Sequence, residues 1–505
     1  MVARDDGQNN SSDRPESRGS RGDPIINVWL LVEKILRVEP GVKKLYLLVR
    51  ARDDAAAHHR VLQEVVGQEL FMILQETHRD EFRSFIQEKI SSVAGDVIHE
   101  NLGLNSSRVK QLSEEIDIIV NGAATTNFYE RYDVALASNA LGTRNVCQFA
   151  KQCAHLKMLL HVSTAYVLTG EQEGLLPEKL IRMGETPKPD CHLDIEAELE
   201  LVREVKAKLT SSHSVTEDNS PQLEKKAMKE LGLKRAKYFG WPNVYVFTKA
   251  MGEMLLGSTR GDLPVVIVRP SIVTSTFEEP FPGWIEGTRT IDALIVGYAE
   301  QSVPCFIGDR NGTIDAIPGD MVINATMVAM AVHFGEETQV IYHVTSAHQN
   351  PLPSYLLEES VYGYFFINPH VGGDMGTVRN KRLILFNKYS YFHAYMVLAY
   401  KVPLQILYLV NFLLGGLFSE FYNKRNRNYN FFMLLAEMYA PFCFFKACFD
   451  DTNLRTLWRT TIAGQGDDGY IFNFDPNSIN WGLYLFDTHI PAVLKVSRRK
   501  KDGRA

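Results

Sequence analysis

Cysteine is scarce in this chain and poorly placed for bridging. Six occur among 505 residues, at positions 147, 153, 191, 305, 443 and 448, with no Cys-x-x-Cys spacing anywhere. Neither a disulfide framework nor a zinc framework can be written from them, so free thiols on the cytosolic side of a cell are expected, with no secretory signal ahead of them. The fourteen histidines are scattered, which leaves no metal-ligating set, and His161 inside an apolar run reads as a core residue with a hydrogen bond. An excess of positive charge is also missing. Fifty-four basic residues against sixty acidic ones give a net charge of -6, which argues against a nucleic-acid partner. A phosphate-cradling glycine loop is absent as well: Gly19 and Gly22, in Arg18–Gly22, follow no apolar strand, and such a loop needs one. Residues 1–26, with Asp5, Asp6, Asn9, Asn10, Ser11 and Ser12, are polar and turn-prone and read as disordered.

What is present begins with size. A chain of this length with 45% hydrophobic residues buries a large core and accommodates two or more structural units. Within it, Val244–Glu253 carries Tyr245 and Lys249, whose spacing on a helix sets both side chains on one face. An ammonium beside a phenol favours the phenolate, which makes tyrosine a proton donor or acceptor near neutral pH. Alone the spacing carries little, because an amphipathic helix produces it too. Its neighbours give it weight.

The run Lys157–Ser163 reads as a buried parallel strand that delivers Ser163, Thr164, Ala165 and Tyr166 at its carboxyl end, the edge where open α/β sheets bind ligands. Ile116–Asn121 is another such strand. It runs into Gly122, Ala123, Ala124, Thr125, Thr126 and Asn127, small residues that let a flat cofactor approach the backbone. Lys44–Arg50, Pro264–Arg269 and Gln339–Val344 read as further strands, the last closing the sheet. Apolar positions Val61, Leu62, Val65, Val66, Leu70 and Ile73 recur at helical spacing and cover a sheet face. Residues 196–236 are charged, helical in period and best read as a surface insertion whose lysines and glutamates are solvated.

Taken in order, Val120–Phe128, Asn139–Asn145, His161–Tyr166, Tyr245-x-x-x-Lys249 and Arg269–Ile272 resemble an extended short-chain dehydrogenase/reductase. Within that superfamily the chain is most similar to the plant branch of the alcohol-forming fatty acyl-CoA reductases. Phe239–Asn243, Pro280–Trp284, Asp315–Met321, Phe449–Asn453 and Phe474–Pro476 add to the match, which runs from about Leu31 onward. The resemblance implies an α/β fold, a Rossmann-like doubly wound parallel sheet, with a helical carboxyl-terminal domain. It also exposes a departure. The family opens with a strand and a Thr-Gly-x-x-Gly-Phe-Leu turn before the helix equivalent to Val32–Arg37, and both are missing here. That costs the sheet a central strand and the cofactor pyrophosphate its backbone anion site. A truncated or mis-spliced gene reading, an impaired paralogue and a rearranged amino end each account for the gap, the first most economically.

The resemblance implies NADPH as cofactor and assigns residues to it. Arg50 and Arg52, after the second strand, stand where a cation accommodates a 2′-phosphate. Gly95–Val97 resembles the superfamily's adenine-contacting turn and brings in Asp96. Asn121, Gly122, Ala123, Asn139, Arg269 and Pro270 complete the implied cofactor wall, with Lys249 on the nicotinamide ribose. The implied catalytic group is Tyr245, Lys249 and Thr164 or Ser163, with Thr164 favoured by superposition on the superfamily's Ser-Ser-x-x-x-Tyr pattern. No metal is implied. The pocket for the acyl chain is expected from Pro270–Gly287, with Phe281 and Trp284 as packing surfaces.

From about Leu383 aromatics and leucines crowd the sequence. Val402–Phe418 is an uncharged run that as one helix extends about 25 Å, interrupted by Pro403, Gln405 and Asn411. Lys424, Arg425 and Arg427, and Arg498–Lys501, favour an anionic membrane surface. Spanning the bilayer, lying in its interface and packing on the reductase portion are all compatible with this composition. The expected organisation is 1–26 disordered, 27–382 the NAD(P)-binding reductase with its substrate subdomain, and 383–505 the carboxyl-terminal helical domain. The leading expectation is reduction of long-chain acyl-CoA to a primary fatty alcohol for wax, cutin or suberin, at the cytosolic face of the endoplasmic reticulum. A plastid address is not expected from the acidic amino end. The alternatives are a catalytically impaired homologue without the glycine loop and an extended reductase for a phenolic or sugar-nucleotide substrate.

Overall fold

Strands rich in Val, Ile and Leu, buried on both faces, are what a parallel sheet covered by helices requires. A computed structural model of the chain describes residues 2–3, 28–170, 173–211, 220–303, 305–372, 376–378, 381–464 and 472–501. Its main sheet contains β1 (Val2–Ala3), β2 (Leu45–Val49), β3 (Ile90–Ala94), β4 (Ile118–Asn121), β5 (Met158–Val162), β6 (Val265–Pro270) and β7 (Gln339–Val344). The spatial order is β7-β6-β5-β4-β1-β2-β3, and the adjacent pairs are all parallel. This is the doubly wound order in which the chain reverses direction between β1 and β4, leaving a crevice at the carboxyl ends.

One expectation is corrected here. The central position is not left without a strand: Val2 stands in register with Leu47 on one side and Val120 on the other, and Ala3 with Leu48 and Asn121. The reason is elementary. A gap between β2 and β4 leaves backbone donors and acceptors unpaired on both edges, and a short extended segment satisfies them. Residues 4–26, expected to be disordered, lie outside the described residues. β3 was not read from the sequence, because Ser91 and Ser92 interrupt its apolar character.

The helix α1 (Val28–Val38) covers the sheet with Val28 to Val32 and Leu36. α2 (Gly142–Ala150) packs on β4 and against α3 (Val244–Thr259), and α3 starts on an Asn243 cap that accepts from the Val246 N–H at 2.9 Å. Between these layers Leu48, Val93, Ile119, Leu159, Phe149, Leu256, Val265 and Ile267 form one core. Each such side chain contributes about 1.5–3 kcal/mol relative to exposure.

The chain forms two compact units. The first comprises Met1–Trp284, Ala316–His348 and Cys448–Pro476, the second Ile285–Asp315, Gln349–Ala447 and Asn477–Ala505. A single cut after residue 382 therefore falls inside the second unit. The interleaving has a local cause: Asn453 Nδ2 donates to the Ile341 carbonyl at 2.8 Å, and Glu178 accepts from the N–H groups of His343 and Asn453 at 2.9 and 2.8 Å, tying 448–476 to the last strand. All six cysteines are free thiols.

In the second unit, Tyr389–Leu413 is a continuous helical run of 25 residues, long and apolar enough to cross a bilayer by length and composition alone. Its last part is α4 (Val402–Leu413), and α5 (Ser419–Cys443) follows. The run 402–418 is thus not one straight helix. The backbone reverses at Gly415 and Gly416, with φ of 65° and 92°, values open to glycine. Asn411, read from the sequence as an interruption, closes the turn: its carbonyl accepts from Gly416 N–H at 2.8 Å, and its side chain accepts from Phe418 N–H at 2.7 Å and donates to Ser419 Oγ at 3.1 Å.

Candidate active site

Three segments converge at the carboxyl edge of the sheet, and the buried side chain of Lys249 joins two of them. From α3 its Nζ donates to the Val162 carbonyl at 2.8 Å, one residue before Ser163, and stands 3.3 Å from His161 Nε2. The lysine is 0% exposed, and burial pulls its ammonium down to about 7 against the opposing pull of Glu253. One turn earlier on the same helix, Tyr245 is 8% exposed, with Phe128 stacked on its ring at 6.0 Å. The lysine therefore meets the end of β5, and the tyrosine stands one turn away on α3.

Of the two hydroxyls after β5, Thr164 Oγ1 donates to the Pro270 carbonyl at 3.4 Å, bridging the ends of β5 and β6. Ser163 Oγ is buried with no hydrogen-bond partner among the described residues. A buried hydroxyl in that state costs about 1–3 kcal/mol and is the kind of atom an incoming ligand satisfies.

Asn121 ends β4 and directs Nδ2 at His161 Nδ1 over 3.2 Å, while its Oδ1 faces Ala123 N–H at 3.4 Å. A side chain on Gly122 would sit 3.2 Å from Val28 Cγ2, so this loop and α1 lie close. Asn139, on a π-helical turn just before α2, brackets the next stretch: it accepts from Thr125 N–H at 2.9 Å and donates to the Thr125 carbonyl at 3.1 Å and to Thr248 Oγ1 at 2.9 Å. It fixes the loop after β4 to α3.

Arg50, at the end of β2, is partly buried with Nε 3.7 Å from Asp96 Oδ2, and burial lowers its basicity while Asp96 restores part of it. Arg52 is exposed and pairs with Asp53 at 3.1 Å. The turn at Gly95 is tight, since a Cβ there would meet the Leu102 carbonyl at 2.5 Å. Arg269 is fully buried. Its guanidinium donates to Glu253 at 3.0 and 2.5 Å and to the Lys179 carbonyl at 3.0 Å, and approaches His343 Nε2 at 3.2 Å.

Comparison with known proteins adds what geometry alone does not. Family models described as "Male sterility protein" match residues 29–326 and 399–497, the first an NAD-binding one. A relative from Arabidopsis thaliana, "Probable fatty acyl-CoA reductase 5", is 45% identical over 473 residues, 92% of this chain and 94% of the relative. The "Alcohol-forming fatty acyl-CoA reductase" of Simmondsia chinensis is 43% identical over 469 residues, covering 92% and 94%. The chain belongs to the fatty acyl-CoA reductase family. Among solved structures, the reductase domain of a non-ribosomal peptide synthetase from Mycobacterium tuberculosis aligns with a TM-score of 0.53 at 17% identity, covering 95% of this chain and 90% of that one. That likeness shows a shared fold.

Within this fatty acyl-CoA reductase, sequence reading named the tyrosine, the lysine and the hydroxyls but not the frame around them. Glu253 continues the row of Tyr245 and Lys249 at a further four residues, a signal visible in the sequence. Its pairing with Arg269 across to β6 is not, since it depends on which strands adjoin. His343, whose imidazole is pushed down to about 3 by burial and by Arg269, accepts in that same network and meets the Asp450 carbonyl at 2.8 Å.

Proposed function

We propose that this protein reduces long-chain fatty acyl-CoA to the primary alcohol with NADPH. The observation that carries the reading is the reach of Lys249 on α3 to the Val162 carbonyl beside Ser163 at the end of β5, with Tyr245 one turn away on the same helix. Family membership supports the substrate class and a nicotinamide cofactor. The choice of NADPH rests on Arg50 and Arg52 at the end of β2, where a cation suits a 2′-phosphate. The cofactor fits the crevice at its reacting end: the unsatisfied Ser163 Oγ, the buried Lys249 and the small residues Gly122 and Ala123 leave polar groups and backbone for it. Residues 4–27, between β1 and α1, lie outside the described residues. NADPH supplies one hydride in each of two reductions.

The protein's own groups do the rest. Tyr245 and Thr164, or Ser163 in its place, donate hydrogen bonds to the thioester oxygen as it gains negative charge. Lys249 in its charged form keeps the Tyr245 phenol acidic. Breakage of the C–S bond releases CoA as thiol and leaves an aldehyde, whose oxygen meets the same hydroxyls in the second round and leaves as the alcohol. Asn121 and Asn139 hold the loop and α3 in place. Arg269 is assigned to the frame, because four of its five donors are already used, with Pro270 presenting backbone to the cofactor side. Asp96 orients Arg50.

We place the protein at the cytosolic face of the endoplasmic reticulum membrane, serving wax, cutin or suberin synthesis. Free thiols suit that compartment. The α4–α5 hairpin supports membrane contact: Phe412, Leu413 and Leu417 are 74%, 79% and 75% exposed at its turn, and Lys424, Arg425 and Arg427 follow on α5. The reductase portion, 27–382, and the helical portion, 383–505, are taken as the functional divisions.

Incubation of the purified protein with NADPH and a radiolabelled long-chain acyl-CoA tests the proposal. Labelled alcohol supports it, and Tyr245→Phe then lowers kcat by about 10²-fold or more. Absence of NADPH binding replaces it with the impaired-homologue reading. NADPH binding without acyl turnover points to a phenolic or sugar-nucleotide substrate.

A further inference from the structure

His161 has no place in the reaction as just derived, yet it touches two residues that do. It sits on β5, 0% exposed, with Nδ1 3.2 Å from Asn121 Nδ2 and Nε2 3.3 Å from Lys249 Nζ. Hydrogen-bond accounting restricts what this chain of three can be. The Asn121 amide nitrogen only donates, so Nδ1 must accept and the single proton of a neutral ring lies on Nε2. That proton points at Lys249, which must then accept it as a neutral amine while donating to the Val162 carbonyl. Ala123 N–H, facing Asn121 Oδ1, supports this amide orientation. The alternative state gives up the 3.4 Å contact with Ala123 N–H: a half-turn of the amide puts Oδ1 against an Nδ1–H, and Nε2 accepts from a charged Lys249. The two states differ by one proton given to solvent.

We propose that His161 is the positioning residue of this site, holding the nitrogen of Lys249 at the end of β5 and changing tautomer in step with the lysine's charge. Its place as part of a reductase rests on the function proposed above, whereas the proton chain itself rests on the geometry. Burial holds the imidazole well below its ordinary range, with Lys249 and Arg269 adding to the effect, so the ring stays neutral in both states. The other charged groups acting on the pair are Glu253 on α3 and Arg269 on β6, ion-paired to one another at 2.5 Å. Tyr245 lies one turn along α3 from the lysine. The charge proposed to act on Tyr245 is thereby linked to the rotation of Asn121, at the end of β4.

Nitrogen-15 labelling of the histidines in the full chain tests this directly, with the His161 ring assigned by its loss in His161→Gln. The expected spectrum shows an Nδ1–H tautomer near pH 6 and an Nε2–H tautomer near pH 9. In Lys249→Met, or in Lys249→Gln should the first not fold, one tautomer persists across that range. A ring that keeps one tautomer from pH 6 to 9 in the unaltered protein overturns the proposal, as does the same switch surviving in the lysine variants. Because the spectrum needs no turnover, an inactive protein that still switches separates failure of the reductase reading from failure of this one.

Discussion

At Lys249, a cation in the interior is held at the expense of stability. Its folded value of about 7 lies below the ordinary lysine value of 10.5, so between those two pH values the unfolded chain carries a proton that the folded chain has lost. Stability contributed through this group therefore rises with pH across that window, and its penalty is complete below about pH 7. Lys249→Met is expected to raise stability by roughly 1–3 kcal/mol at pH 6, with the gain fading towards pH 10. Thermal melts at the two pH values check it. A variant equally stabilised, or destabilised, at both would mean the amine is not the group that titrates. The same substitution should abolish turnover, an assay that separates what this residue does for chemistry from what it does for folding.

At the scale of elements, much was legible because periodicity and chemistry agreed. Five of the seven strands of the main sheet are apolar runs, and α3 announces itself through Tyr245 and Lys249 on one face. β3 escaped reading because its serines give no alternation, and β1 because two residues give no pattern at all. The frame of Arg269, Glu253, His343 and Glu178 was invisible for another reason: it joins residues from separate strands and the 448–476 segment, and pairing across such distances is set by tertiary packing. Helix contact is equally specific. A Cβ on Gly252 would lie 2.4 Å from the Asn139 carbonyl, so α3 approaches the π-helical turn at a distance only glycine permits. Gly252→Ala should cost about 2 kcal/mol or more and reduce turnover beyond what the stability loss explains, because Asn139 also ties down the loop after β4. Denaturant titration and kinetics on the same preparation check both. The α4–α5 hairpin makes its own forecast. A helix end that inserts about 5–10 Å would carry Leu413, Leu417 and Phe421 into the acyl boundary and leave Lys424, Arg425 and Arg427 near headgroups. Replacing the three apolar residues by serine should abolish flotation with anionic vesicles, whereas 1 M salt should only weaken it for the unaltered chain. Flotation indifferent to the serines would assign membrane contact to another surface.

At the scale of the whole molecule, the interior position of the sheet between β2 and β4 is held by β1. The described part of β1 lies between β2, of five residues, and β4, of four, pairing Val2 with Leu47 and Val120 and Ala3 with Leu48 and Asn121. Among the described residues β1 stitches together two leaves, β2 with β3 and β4 with the rest, through two registered residue pairs on each flank. Opening along that seam breaks few bonds and leaves the core of β5 and β6 intact. Amide protons at Leu47 and Val120 should consequently exchange for deuterium well ahead of those at Leu160 and Ile267. Whatever lengthens the stitch, including a dinucleotide whose two halves rest on different leaves, should slow the first pair and leave the second unchanged.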